Sequence, residues 1–148
     1  MNRLFHVREE RLPSGTLIQP GRWGATVLKG GKDHPFFFRE HLLEIWRVEK
    51  TNVGVSRFFC TFAYEGEQQA REYASQSEFV FPVAPSDPNA PMAKLDMLWL
   101  TWMSEPGAKT QQIMSWCAGY WSRRAASEIK PGAKSSWEWL FACPLVVK

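Results

Sequence analysis

The C-terminal stretch SSWEWLFACPLVVK, Ser135 to Lys148, decides how this chain is read. β-Branched and aromatic residues dominate it, and Pro144 cannot donate to a sheet ladder. It therefore reads as two short strands, or one bent strand broken at that proline. Glu138 stands between Trp137 and Trp139 in an otherwise apolar run. Glutamate is seldom buried without a partner, which makes this the most anomalous position in the sequence. Strict alternation turns Trp137 and Trp139 toward a core and Glu138 toward water. The competing reading places the carboxylate in a cleft, where aromatic walls desolvate it and sharpen it as an acceptor for a ligand hydroxyl.

Outward from that stretch, the pattern changes repeatedly between helix and strand. KTQQIMSWCAGYWSRRAA predicts a helix with an apolar stripe of Ile113, Cys117, Tyr120 and Trp121, the last two read as packing residues. KLDMLWLTWM fits a helix through Leu95, Leu98 and Trp102, and a strand through Met97, Trp99 and Thr101. EFVFPVAP predicts a strand closed by the proline-rich APSDPNAP. EGEQQAREYA predicts a short helix with Ala70, Tyr73 and Ala74 inward, and VGVSRFFCTFAY, Val53 to Tyr64, a strand buried on both faces. Pro35 suits the first turn of a helix running to about Lys50, with Phe38, Leu42 and Ile45 inward and Glu and Arg outward.

Before it, LKGGKDHP reads as a polar loop, PGRWG and LPSG as turns, and TLIQ and LFHV as short strands. Gly21 and Gly24 flank Arg22 and Trp23 and permit close backbone approach, either to another segment or to a ligand. His6, inside LFHV, is either a strand histidine bonded to backbone or the first member of a site. Without regular βαβ alternation, the order favours an α+β fold, read as one domain over residues 1–148.

Composition narrows the function classes. Eight tryptophans, ten phenylalanines and a 45% hydrophobic fraction specify a packed core, and no apolar run approaches a membrane span of about 20 residues. The N-terminal MNRLFHVREE lacks the apolar core of a secretory signal. Cys60, Cys117 and Cys143 are odd in number and widely spaced without a CxxC pair, which predicts reduced thiols in a cytoplasm-like compartment and no zinc site. The net charge of +3 is spread among acids, as in REE and RVEK, so a solvated surface is the first reading and attraction to polyanions a second. The common metalloprotease, P-loop, dinucleotide and EF-hand motifs are absent, as is a GxSxG elbow. Cys60 sits in an apolar run and reads as an inert core thiol.

Three blocks in order carry a family resemblance. LFHVREERLPSGTLIQPGRWG, SRFFCTFAYEGEQQAREYA with the following FVFPVAP, and YWSRRA leading to SSWEWLFACPLVV resemble the H-Y-E branch of the ADP-ribosyltransferase superfamily, especially small bacterial members like the rifampin ADP-ribosyltransferases. The resemblance implies a split β-sandwich with peripheral helices around a cleft for NAD+, used as co-substrate without a metal. It implies that His6 meets the adenosine ribose, that Phe62 lies against nicotinamide, and that Glu138 engages the nicotinamide ribose and stabilises its developing positive charge. The family residue at Phe62 is usually tyrosine, which makes Tyr64 a substitute donor. Arg22, with Trp23 beside it, is a candidate contact to the diphosphate or the nicotinamide loop or else a surface arginine, and Arg57 is a second candidate for that contact.

The activity so implied is ADP-ribose transfer by a bacterial or phage toxin, effector or modifying enzyme, with nicotinamide released. NAD+ glycohydrolysis and a catalytically inactive nucleotide- or protein-binding module are the alternatives. The acceptor is a protein, a nucleic acid or a small molecule. Ser136 stands where arginine-modifying relatives carry a second acid, so arginine is disfavoured.

Overall fold

A computed structural model describes residues 3–148. In chain order it contains β1 (Leu4–Arg8), β2 (Leu17–Ile18), α1 (Arg22–Gly30), α2 (Phe37–Lys50), β3 (Thr61–Glu65), α3 (Glu67–Tyr73), β4 (Phe79–Pro85), β5 (Met92–Asp96), α4 (Leu98–Met103), α5 (Thr110–Trp121), β6 (Trp137–Phe141) and β7 (Leu145–Val147). The strands form one antiparallel sheet in the order β2-β7-β4-β1-β3-β6-β5. The class is α+β.

The sheet curls. One apolar cluster contains Ile18 from one edge strand and has Met92 from the other packed against it, with Ala63, Phe81, Phe141 and Leu145 between. Both edges can reach the same core only if the sheet bends around it, as the right-handed twist of strands allows. The other face is covered by helices. Leu43 of α2, Trp99 and Leu100 of α4, and Cys117, Tyr120 and Trp121 of α5 pack there against Leu95 and Leu140. On the same side Ala70 of α3 joins Phe5 and Tyr64 in a smaller cluster.

One seam in the sheet is short. β1 and β3 pair only through Leu4 with Glu65 and Phe5 with Tyr64, whereas β1 and β4 pair along all five residues from Leu4 to Arg8. Past Phe5, a side chain replaces the ladder: the His6 ring nitrogen Nδ1 donates to the Phe62 carbonyl at 2.7 Å.

Several local expectations are corrected. The strand expected over Val53–Tyr64 is a strand only from Thr61. Ser56 turns the chain before it, its hydroxyl accepting from the Phe58 N–H while its carbonyl accepts from Phe59. The turn and loop read across PGRWG and LKGGKDHP contain helix α1, which starts after Gly21 in a left-handed conformation (φ 98°) and stops at Gly31, whose N–H reaches the carbonyls of Val27 and Leu28. The two bounding glycines conceal a helix of only nine residues.

On α2 the inward face is Glu40 and Leu43, with Leu42 and Trp46 at its margin. Phe38 and Ile45 are 73% and 61% exposed. A buried ion pair, described below, turns the helix away from its simplest apolar stripe. Tyr73 is exposed as well, although its ring lies 4.6 Å from that of Tyr64. KLDMLWLTWM is both of its readings in succession, β5 and then α4. Asp96 makes the junction: one carboxylate oxygen accepts the N–H groups of Leu98 and Ser136, and the other that of Ala126.

Candidate active site

Glu138 is 3% exposed, while Trp137 and Trp139 keep part of their surface. The expectation of an outward Glu138 from strand alternation is therefore overturned. Alternation separates core from water only where one sheet face is wet. Here the face of β6 that carries Glu138 is covered by helices, so the dry side is the one alternation assigns to water, and Trp137 and Trp139 keep part of their surface on the other. The buried carboxylate is matched by Arg57, a buried guanidinium delivered by the irregular segment before β3.

The pairing is part of a small network. Arg57 Nη1 donates to Glu138 Oε1 and, at 2.6 Å, to the Tyr120 hydroxyl. The Tyr120 hydroxyl in turn donates to Glu138 Oε1 at 2.8 Å. On the opposite side Arg57 grips Glu40 through Nε at 2.8 Å and Nη2 at 3.1 Å. Arg39 closes the network with a 2.9 Å bond to Glu40. Two carboxylates and two guanidiniums thus balance in a site where an unpaired charge would be very costly.

The protonation states follow from the surroundings. Burial pushes the Glu40 carboxyl up, but Arg57 and Arg39 outweigh it and hold its pKa at about 2. Burial works against the charge on Arg57 as well, and Glu138 and Glu40 reverse it, so Arg57 stays protonated. The Tyr120 hydroxyl is driven well above its ordinary range by burial, against the pull of Arg57, and remains a neutral donor. Glu138 Oε1 is saturated by two donors. Glu138 Oε2 has no hydrogen-bond partner among the described residues. It is the uncommitted acceptor of the site.

Phe62 and His6 join this centre from the short seam. The Arg57 guanidinium carbon lies 5.0 Å from the centroid of the Phe62 ring, and the Phe62 carbonyl is the acceptor for His6. A carbonyl only accepts, so His6 carries its proton on Nδ1, and in the neutral ring Nε2 is free to accept. Burial lowers the His6 pKa below 6.5, with Arg8 and Arg22 adding to the shift and the Phe62 hydrogen bond opposing it. The register puts Tyr64 directly opposite Glu138 and Phe62 opposite Leu140, all on the helix-covered face. His6 alternates to the other face, beside Phe81, and reaches the group only through the gap in the sheet.

The remaining expected contacts are less closely joined. Arg22 is exposed, 3.6 Å from Glu10, and its charge is felt at His6. Trp23 packs against His34 and Phe36, with ring centroids 5.4 and 6.2 Å away. The close approach permitted by Gly24 is to another segment: a Cβ there would stand 2.1 Å from the Phe58 carbonyl oxygen. Cys60, Cys117 and Cys143 are free and buried, and burial raises the first two thiols well away from reactivity.

Arg39, Glu40 and Tyr120 are the members that the sequence reading missed as site residues. One signal was available: an arginine inside the apolar run VGVSRFF needs carboxylate partners if it is buried, and Glu40 lies one turn from Leu43 on the same helical face.

No family model matches the chain, and no curated protein matches it. Among the described residues no helix is long and apolar enough to cross a membrane.

Proposed function

We propose that the chain is an NAD+-dependent ADP-ribosyltransferase that cleaves the bond between nicotinamide and ribose and passes ADP-ribose to an acceptor. The observation that carries this reading is the convergence of the three blocks on one connected group. His6 is bonded to the Phe62 carbonyl, Phe62 lies under Arg57, and Arg57 holds Glu138, although the bonded partners stand 56 and 81 positions apart along the chain.

The chemistry asks for a fixed negative charge where the ribose becomes cationic. Glu138 supplies it from a position locked by Tyr120 and Arg57, so little reorganisation is needed as charge develops. Oε1 is committed to those donors, which leaves Oε2 to accept a ribose hydroxyl. Arg57 takes one face of Phe62, so nicotinamide stacks on the other. The neutral His6 ring offers Nε2 to a second hydroxyl.

A second reading is favoured by one feature. The charge of Glu138 is already partnered by Arg57, and a neutralised carboxylate suits an inactive nucleotide-binding module of the same fold. Incubation with adenine-labelled NAD+, with and without a whole-cell lysate, separates the two. Label transferred to lysate components with stoichiometric nicotinamide supports the transferase. Nicotinamide released without transfer points to a glycohydrolase, and NAD+ binding without turnover to the inactive module.

A further inference from the structure

Independently of the NAD+ reading, we propose that an open groove beside β5 and β6 binds single-stranded nucleic acid. Lys94, Arg123, Trp137 and Trp139 line it. The two indoles belong to the sheet face opposite Glu138, and each retains accessible surface. Trp139 is fixed by stacking on Phe141, the rings 5.8 Å apart and 9° from parallel. Lys94 holds its ammonium 5.2 Å from the Trp137 centroid and is anchored by Glu65 at 2.5 Å. Rigid aromatic faces interleaved with cations are what unpaired bases and their phosphates require, because every base offers a π-face whatever its identity.

Arg123 is the telling residue. It follows helix α5 with φ 67°, and it is the one residue other than glycine with positive φ among the described residues. Its N–H reaches the carbonyl of Tyr120, so it occupies the left-handed position that ends a helix, where glycine is unstrained. An arginine there costs stability, and its guanidinium makes no ion pair among the described residues. Strain kept at such a position points to a use for the side chain. The connection from Ser122 to Ser136 adds charge of the same sign: Arg124 is paired with Glu128 and Lys134 with Glu72, while Arg123 and Lys130 make no ion pair among the described residues. A phosphate backbone running along that connection would set its bases on Trp137 and Trp139.

The substitution Arg123→Gly separates binding from folding, because it relieves the strained backbone while removing the charge. The probe is a fluorescein-labelled oligodeoxynucleotide of about twelve mixed-sequence nucleotides, within the usual footprint of such grooves, titrated by anisotropy at two salt concentrations. The intact chain is expected to bind it with affinity that falls as salt rises. Arg123→Gly is expected to melt at the same temperature or higher and to bind at least roughly fivefold more weakly, and Trp137→Leu to lose roughly fivefold or more through stacking. A blunt duplex of the same sequence is expected to bind less tightly than the single strand. Absence of salt-sensitive binding, equal affinity in Arg123→Gly, or equal affinity for the duplex would each overturn the assignment.

Discussion

Glu40→Gln isolates the charge that keeps Arg57 in place. The Glu40 pKa falls from 4.5 to about 2 because Arg57 and Arg39 outweigh its burial. At about 1.4 kcal/mol for each factor of ten in proton affinity, that fall stabilises the fold by about 3 kcal/mol near neutrality. The magnitude agrees with the cost of removing one partner from a buried pair, about 3–5 kcal/mol. The sign follows from linkage: a depressed carboxyl stabilises above its unfolded pKa and loses that contribution as pH falls toward the folded value. About 2 kcal/mol should therefore be gone at pH 3. Urea unfolding of both proteins between about pH 7 and pH 3 reads the difference directly, since the other carboxylates titrate in both and cancel. The gap should narrow steadily below pH 4.5. A gap independent of pH would show that the amide is disruptive for a reason other than charge, and would refute the ion-pair account.

Gly24→Ala should cost about 3 kcal/mol or more, because the new methyl meets the Phe58 carbonyl oxygen at 2.1 Å and backbone must move; thermal melting tests it. The lowered His6 pKa predicts stability that is full above about pH 6.5 and declines as pH falls toward the folded value, since the unfolded chain takes up its proton first. His6→Gln should remove that segment of the pH profile, and an unchanged profile would place the titration elsewhere. Phe62→Ala should weaken NAD+ binding more than Phe62→Tyr, as read by calorimetry, because stacking is lost only in the first.

The fold class was legible because periodicity survives wherever one face of an element packs against a core. The stripe of Ile113, Cys117, Tyr120 and Trp121 lies on α5 as read, and Pro144 separates β6 from β7. What stayed hidden were features created by tertiary pairing. Glu40 looks like a solvent-facing residue until Arg57, 17 positions away, is placed against it. That pairing accounts for Glu40 on the inward face of α2, and the turn at Ser56 for the absence of strand before Thr61. Glu138 was singled out correctly as anomalous, but its orientation depended on whether helices cover the second face of β6. The glycines around Arg22 announce a close approach, while only the folded chain names Phe58 as the partner.

The most direct measurement is nicotinamide release from NAD+ by the intact chain and by Glu138→Gln, with NAD+ affinity and near-ultraviolet circular dichroism recorded on both. The variant keeps most of the hydrogen-bonding capacity of Glu138 while deleting its charge, so Arg57 retains Glu40 and the fold has a partner left to hold it. If Glu138 stabilises charge on the ribose, turnover should fall by roughly 100-fold or more while affinity changes little, since the charge is needed chiefly in the transition state. A folded Glu138→Gln protein that releases nicotinamide at the full rate would contradict the assignment.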